Sequence, residues 1–306
     1  MPVVKNSSPI THHPSQIPYF PGCGLKDQAR GFELAALAAM ERLGYELAEL
    51  PRWNCCGTVY SLASDDLMRH LAPIRNLIRV QELGESRLVT LCSMCFGTLK
   101  RSAQFVEEDP ERLATINAFM DEEDDYRGGV EVLHLLAVLR DEVGYEAIEE
   151  AVERPLEGLK VAPYYGCMLL RPRGLGVDDP DHPRVMEELL SALGAEVVDH
   201  PYKVECCGSY LTAGRADVVE VRVAAIAGAA VQRGADLIAT SCPLCQFNLD
   251  TRLSQAAGRR GTPSIPSVYF TQLLALALGA DPHLGEQAID PRPVLAARGF
   301  LSEVRG

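Results

Sequence analysis

The chain repeats itself, and every cysteine it contains lies inside the repeat. The first half carries Tyr19-Phe-Pro-Gly-Cys23-Gly-Leu25 and the second Tyr164-Tyr-Gly-Cys167-Met-Leu169. Gly44-Tyr-Glu-Leu-Ala-Glu-Leu-Pro-Arg-Trp-Asn-Cys55-Cys56-Gly57 then matches Gly194-Ala-Glu-Val-Val-Asp-His-Pro-Tyr-Lys-Val-Glu-Cys206-Cys207-Gly208. A third pair follows, Leu88-Val-Thr-Leu-Cys92-Ser-Met-Cys95 and Leu237-Ile-Ala-Thr-Ser-Cys242-Pro-Leu-Cys245. The tails correspond as well, with His134-Leu-Leu-Ala-Val-Leu beside Thr271-Gln-Leu-Leu-Ala-Leu-Ala-Leu. Three motifs in one order at nearly constant offsets mark a duplication. All ten cysteines fall within it.

The same rhythm predicts the architecture. Short β-rich runs at Gln16–Phe20, Glu46–Leu50, Arg87–Leu91, Lys160–Tyr164, Glu196–Val198 and Leu237–Thr240 alternate with helical spacing. The helical stretches are Arg30–Leu43, Asp65–Leu83, Pro183–Leu193 and Arg215–Arg233. Pro183 suits a first helical position, and Gly44 and Gly194 suit helix C-termini. Alternating strands and helices predict two α/β domains with parallel sheets, over 16–154 and 155–306, after an N-terminal arm at 1–15. The acidic run Asp121–Gly129 reads as a solvated loop, and the boundary falls near Arg154-Pro155. In such folds ligands sit beyond the carboxyl ends of the strands. Each Cys motif follows a predicted strand, so one sheet edge would gather five thiols per half.

With 306 residues and 47% apolar composition there is material for two cores. A formal charge of −13 speaks against nucleic acid or an anionic membrane as partner. The apolar stretches near Val221–Val231 and Leu273–Ala280 are too short or too interrupted to span a bilayer. The expectation is a cytoplasmic protein without a membrane span. Thiols stay reduced there, so ten of them point to metal or redox chemistry rather than disulfides.

Cysteine thiolates are the usual ligands of iron–sulfur clusters, and a four-iron cube takes four. Each half offers a Cys, a vicinal Cys-Cys-Gly and a Cys-x-x-Cys. With five thiols, either one is spare or the cluster is an opened form. The glycine after each vicinal pair would let backbone approach a bulky group. Taken singly, Cys-x-x-Cys also fits a zinc knuckle or a redox dithiol, and a vicinal pair also fits two buried thiols. The duplication favours clusters, since zinc gains nothing from a fifth ligand. Trp53 and Tyr202 precede the vicinal pairs and read as core aromatics. Lys203 and Arg171 could steer an anion, but solvated surface is the plainer reading. His134, His182 and His200 lack metal-ligand spacing. No nucleotide-binding motif is present.

From Tyr19 to about Gly285 the chain resembles the B subunit of heterodisulfide reductase, with its duplicated CCG cysteine-rich domains. Tyr164-Tyr-Gly-Cys-Met-Leu-Leu-Arg-Pro172 and Pro201-Tyr-Lys-Val-Glu-Cys-Cys-Gly208 carry the resemblance most clearly. It implies two Rossmann-like α/β domains related by pseudo-two-fold symmetry, each holding one non-cubane [4Fe-4S] cluster. Carried over, Cys23, Cys55, Cys56, Cys92 and Cys95 ligate one cluster, and Cys167, Cys206, Cys207, Cys242 and Cys245 the other. It further implies an oxidoreductase acting on sulfur groups, cleaving or forming a disulfide between facing clusters. The implied partners are an HdrC-like ferredoxin subunit and an HdrA-like FAD subunit. The implied substrate is a small-molecule or protein-bound disulfide or sulfane, with a sulfur-oxidising (sHdr-type) system preferred over the methanogen disulfide. Two other readings stand beside it: an electron-transfer module without its own substrate site, and a zinc-stabilised scaffold.

Overall fold

The computed structural model describes residues 15–58, 67–260, 264–285 and 287–301. The expected N-terminal arm lies outside them except for its last residue. Two four-stranded, wholly parallel sheets form the molecule. The first contains β1 (Ser15–Phe20), β2 (Tyr45–Glu49), β3 (Arg87–Thr90) and β4 (Glu131–His134), in the order β2-β1-β3-β4. The second contains β5 (Lys160–Tyr164), β6 (Glu196–Val197), β7 (Leu237–Thr240) and β8 (Ser267–Tyr269), in the order β6-β5-β7-β8. The halves are thus two Rossmann-like α/β domains of one topology. In each, the chain leaves the first strand for one neighbour and returns across it to the other, which makes a switch point between β1 and β3 and between β5 and β7. Parallel strands are covered on both faces, which explains why β3 and β7 read as near-continuous apolar runs.

The connecting helices cover these sheets. In the first half they are α1 (Gly22–Leu25), α2 (Arg30–Arg42), α3 (Leu71–Glu82), α4 (Ser93–Glu107), α5 (Pro110–Phe119), α6 (Leu135–Val138) and α7 (Tyr145–Ala151). In the second they are α8 (Val185–Ala192), α9 (Ala216–Gln232), α10 (Pro243–Phe247), α11 (Leu253–Arg260), α12 (Phe270–Ala277) and α13 (Arg292–Ala297). The six expected strands form within a residue or two of their predicted limits. The fourth strand of each sheet was not foreseen, because Glu131–His134 and Ser267–Tyr269 run without a break into the apolar helices that follow them. The expected helix from Asp65 opens, within the described residues, with a 3₁₀ turn at Leu67–His70. Pro183 is not its helix's first residue. α8 starts at Val185 because the Asp178 carboxylate accepts the Arg184 and Val185 N–H groups at 2.6 and 2.8 Å. The acidic run at 121–129 is a loop, but Tyr126 within it is buried and donates its hydroxyl to Glu107 at 2.6 Å.

The halves hold each other by a reciprocal exchange. α12, from the tail of the second half, packs on α2 of the first, and α6, from the tail of the first, packs on α8 of the second. Phe32 of α2 is fully buried, stacked on Tyr269 at 4.1 Å and set edge-on to Phe270. Thr271 donates its hydroxyl to the Phe32 carbonyl at 3.0 Å, and on the other flank Tyr145 donates to the Val185 carbonyl at 2.9 Å. The pattern is that of a two-fold dimer written into one chain.

Truncating Phe32→Ala removes the central ring of the α2–α12 contact, and is expected to cost about 3–5 kcal/mol. Urea unfolding followed by circular dichroism measures this, and a loss below about 1 kcal/mol would mean that the two halves cohere by other means.

Candidate metal centre

The carboxyl ends of β1, β2 and β3 launch the loops bearing Cys23, Cys55-Cys56 and Cys92, and those of β5, β6 and β7 launch Cys167, Cys206-Cys207 and Cys242. Cys92 and Cys242 immediately precede helices α4 and α10, so Cys95 and Cys245 lie in the first turn. All ten are free thiols. In the first half Cys23 and Cys55 sulfurs lie 3.6 Å apart and those of Cys56 and Cys95 3.4 Å apart. In the second, Cys207 and Cys245 are separated by 3.5 Å. Cys92 and Cys95 bracket the start of α4 and Cys242 and Cys245 that of α10, while Cys55–Cys56 and Cys206–Cys207 are neighbours in the chain. Across the pseudo-two-fold axis the neighbouring Ser93 and Ser241 are hydrogen-bonded, which brings the Cys92 and Cys242 turns together. The ten thiols therefore lie in a file, five from each half, on either side of the junction.

Backbone geometry supports the file. Gly22 and Gly166, one residue before the first cysteine of each half, have φ of +72° and +66°, and a Cβ there would come within 2.9 Å of Cys95 Sγ and 3.3 Å of Cys245 Sγ. Gly57 and Gly208 also have positive φ. Added Cβ atoms there would meet Ala72 and Val219, not a sulfur. Their role is the turn itself: φ of +70° and +86° aims each N–H back at the first thiol of its pair, at 3.5 Å to Cys55 and 3.3 Å to Cys206. Asn248, missed in the sequence reading, donates to Cys207 at 3.4 Å. Its position three residues after Cys245, on the same helical face, is the signal that could have found it. Ser93 and Ser241 were missed as well. They meet at the junction, hydroxyl to hydroxyl at 2.8 Å, while the Ser93 N–H donates to the Ser241 carbonyl at 3.2 Å.

The remaining sequence candidates are structural. Trp53 packs edge-on against Phe20 and donates to Glu49 at 2.9 Å. Tyr202 packs on the core, and Lys203 is paired with Glu187 and Asp199 at 2.6 and 2.8 Å. Arg171 pairs with Asp181, and His182 is exposed. His200 donates Nε2 to the Pro163 carbonyl at 3.1 Å. Buried His134 caps α6, accepting the Leu136 N–H at Nδ1, and burial drives its pKa down to about 3, so the ring is neutral.

Crowding sets the acidity of the thiols. The neighbouring Cys56 thiol brings the Cys55 pKa down to about 7, with the Gly57 N–H helping against the cost of burial. Cys56 is correspondingly pushed up to about 12. Cys92 is held well below the ordinary thiol range, first by the Cys242 thiol and then by Cys95. Five adjacent thiolates cannot coexist in a buried pocket unless a polycation neutralises them. Among the described residues no three ligating side chains converge on a single-ion site. A polynuclear iron–sulfur group, which spreads its thiolates over several metals, matches this long all-sulfur donor set with its N–H···S support.

A model of the CCG cysteine-rich domain matches the chain twice, over residues 17–100 and 161–250. The B subunit of the ferredoxin:CoB-CoM heterodisulfide reductase of Methanosarcina mazei is 33% identical over 279 residues, covering 88% of this chain and 91% of its own. The chain belongs to the family of heterodisulfide reductase B subunits with paired CCG domains. The 8-methylmenaquinol:fumarate reductase membrane anchor subunit of Wolinella succinogenes is 33% identical over 264 residues, 85% of this chain and 91% of that one. A hypothetical protein from Helicobacter pylori shares the fold, with a TM-score of 0.69 at 13% identity over 90% of this chain and 53% of that chain. The present family member is a heterodisulfide reductase-like iron–sulfur subunit of an oxidoreductase complex. None of its described helices is long and apolar enough to cross a membrane.

The acidity pattern has a direct chemical readout. In reduced chain stripped of iron, iodoacetamide is expected to modify exposed Cys55 before Cys56, with a rate that climbs as pH rises through about 7 and its thiolate fills. Peptide mass mapping across pH distinguishes the two, and earlier labelling of Cys56 would contradict this order of acidity.

Proposed function

We propose that the protein makes or breaks a disulfide or persulfide bond at the junction of its halves. In this reading Cys23, Cys55, Cys56, Cys92 and Cys95 hold one non-cubane [4Fe-4S] cluster. Cys167, Cys206, Cys207, Cys242 and Cys245 hold a second. The observation that supports the reading is the junction of the two Cys-x-x-Cys turns, where Ser93, next to Cys92, bonds Ser241, next to Cys242, and sets a five-thiol group on either side.

The net reaction is R–S–S–R′ plus two electrons and two protons giving RSH and R′SH, or its reverse. When bound, the two clusters supply two one-electron stores flanking the sulfur–sulfur bond, matched to its two-electron cleavage. The chain's own residues exclude water, since Cys92 and Cys242 are only 6% and 2% exposed. Tyr210 closes one flank by donating to the Met94 sulfur at 3.8 Å, and the Ser93–Ser241 bonds keep the two Cys-x-x-Cys turns in register. We place the domains at 16–154 and 155–306, because the chain changes sheets between β4 and β5. The electrons pass one at a time to or from an HdrC-like ferredoxin subunit and an HdrA-like FAD subunit. The setting we propose is cytoplasmic and sulfur-oxidising.

A second reading, an electron-transfer module without a substrate site, draws on the Wolinella relative, whose name describes a quinol:fumarate reductase anchor. One preparation separates the two. Purified without oxygen, the protein is expected to contain about eight irons per chain with matching sulfide. Its EPR spectrum should shift when a thiol or disulfide is added. A spectrum indifferent to sulfur compounds favours the electron-transfer module, and zinc without iron would leave a scaffold. Cys207→Ala is expected to lower iron to about four per chain and abolish disulfide turnover. Iron at the parent level in this variant would overturn the ligand assignment.

A further inference from the structure

The two flanks of the junction are built differently. On one, Met168 presses against Gly97, where a Cβ would come within 2.8 Å of the Met168 methyl group, and the space is filled. On the other, the equivalent positions are Gly24 and Phe247, and a cavity of about 310 Å³ opens between the halves. It begins at Gly24, beside Cys23, and at Pro243 and Leu244, between Cys242 and Cys245. Beyond these it is walled by Gln246, Asp250 and Gln287.

Gln246, Asp250 and Gln287 supply acceptors to this wall, while Gln28, Thr251 and Tyr269 also line it and can donate. Gln246 and Gln287 both donate their amide N–H groups to the same acceptor, the Ser267 carbonyl, at 2.7 and 2.5 Å. That shared acceptor decides the amide orientation, because a flipped amide would set oxygen against oxygen. Both Oε1 atoms are then left buried without a hydrogen-bond partner, and Gln246 as a residue is only 6% exposed. Asp250 adds a carboxylate beside them, holding the Ala288 and Ile289 N–H groups at 2.9 and 2.8 Å with lone pairs to spare. No Lys, Arg or His lies among the described lining residues. Counted from the two Cys-x-x-Cys motifs, Gln246 and Asp250 correspond to Phe96 and Lys100 in the first half. The acceptor wall therefore exists on one flank only.

We propose that this cavity receives the organic arm of the substrate, and that it selects an arm presenting amide or ammonium N–H donors with no anionic group at that depth. Unpartnered buried acceptors are costly to leave empty-handed and accept a donor gladly. A carboxylate, phosphate or sulfonate in the same place would meet Asp250 and two amide oxygens with no cation to offset them. The inference rests on the disulfide reading above and names the kind of disulfide.

The test uses the complete, cluster-loaded protein and three probes of similar length: N,N′-diacetylcystamine, the corresponding diacetyl ester of dithiodiethanol, and 3,3′-dithiodipropionate. Affinity is measured by ligand-observed NMR on oxidised protein, and turnover separately with reduced viologen. The diamide is expected to bind about tenfold more tightly than the ester, which lacks N–H, and the dianion more weakly still. Gln246→Met and Gln287→Met should each cost the diamide about three- to tenfold in Kd and leave the ester unmoved. Gln287 lies far along the chain from any cysteine, so its variant remains informative if Gln246→Met lowers the iron content. Equal affinities for diamide and ester, or a diamide Kd indifferent to Gln287→Met, would overturn the inference while disulfide turnover kept the functional reading. Diamide preference without turnover of any disulfide would uphold the cavity's selectivity and sink the functional reading instead.

Discussion

Two apolar tail helices, one from each half, would face water if the halves stood apart. Every residue of α12 is buried, and so is every residue of α6. Each is hidden against the first long helix of the opposite half. Burial of this kind is worth roughly 25 cal/mol per Å² of apolar surface, and it is non-directional. What gives it direction here is the duplication, because two copies of one surface can satisfy each other only about a two-fold axis. That axis brings the carboxyl edges of the two sheets face to face. The thiol file is a consequence: the Cys92 and Cys242 turns are joined through Ser93 and Ser241 where the packing of Phe32, Tyr269 and Phe270 holds the halves together.

The edge so formed has an electrostatic problem and carries its remedy. Thiols crowd one another, so acidity is uneven along the file, low at Cys55 and Cys92 and high at Cys56 and Cys95 between them. Gly57, Gly208 and Asn248 add N–H donors to individual sulfurs. These donors stabilise sulfur-borne charge and tune any metal bound there. The two ends of the file differ in access. Cys23 and Cys55 are exposed, whereas Cys167 and Cys206 are half-buried.

Once duplicated, the halves diverged where divergence could matter. The cysteines, the glycines before and after them and the strand order are kept in both. The residues just past each Cys-x-x-Cys are not: Phe96, Gly97 and Lys100 stand opposite Gln246, Phe247 and Asp250. One flank became a packed seam and the other a lined cavity. A symmetric frame thereby holds an asymmetric site.

Much of this was legible in the sequence. The repeat spaced the cysteines, and their places after predicted strands put five of them on each parallel-sheet edge, because in such sheets loops at the carboxyl ends converge. Six strands were readable from their apolar runs, and the family from the motifs around Cys167 and Cys207. β4 and β8 were not, because each runs without a break into an apolar helix. Nor was the start of α8, decided by Asp178 from seven residues upstream, nor the task of Gly57 and Gly208, which depends on φ. The join of the Cys92 and Cys242 turns through the Ser93–Ser241 bonds and the acceptor wall of Gln246 and Gln287 came only with the tertiary structure. Each depends on atoms brought together by packing between distant segments, and sequence periodicity records which face of an element is apolar without recording what that face will meet.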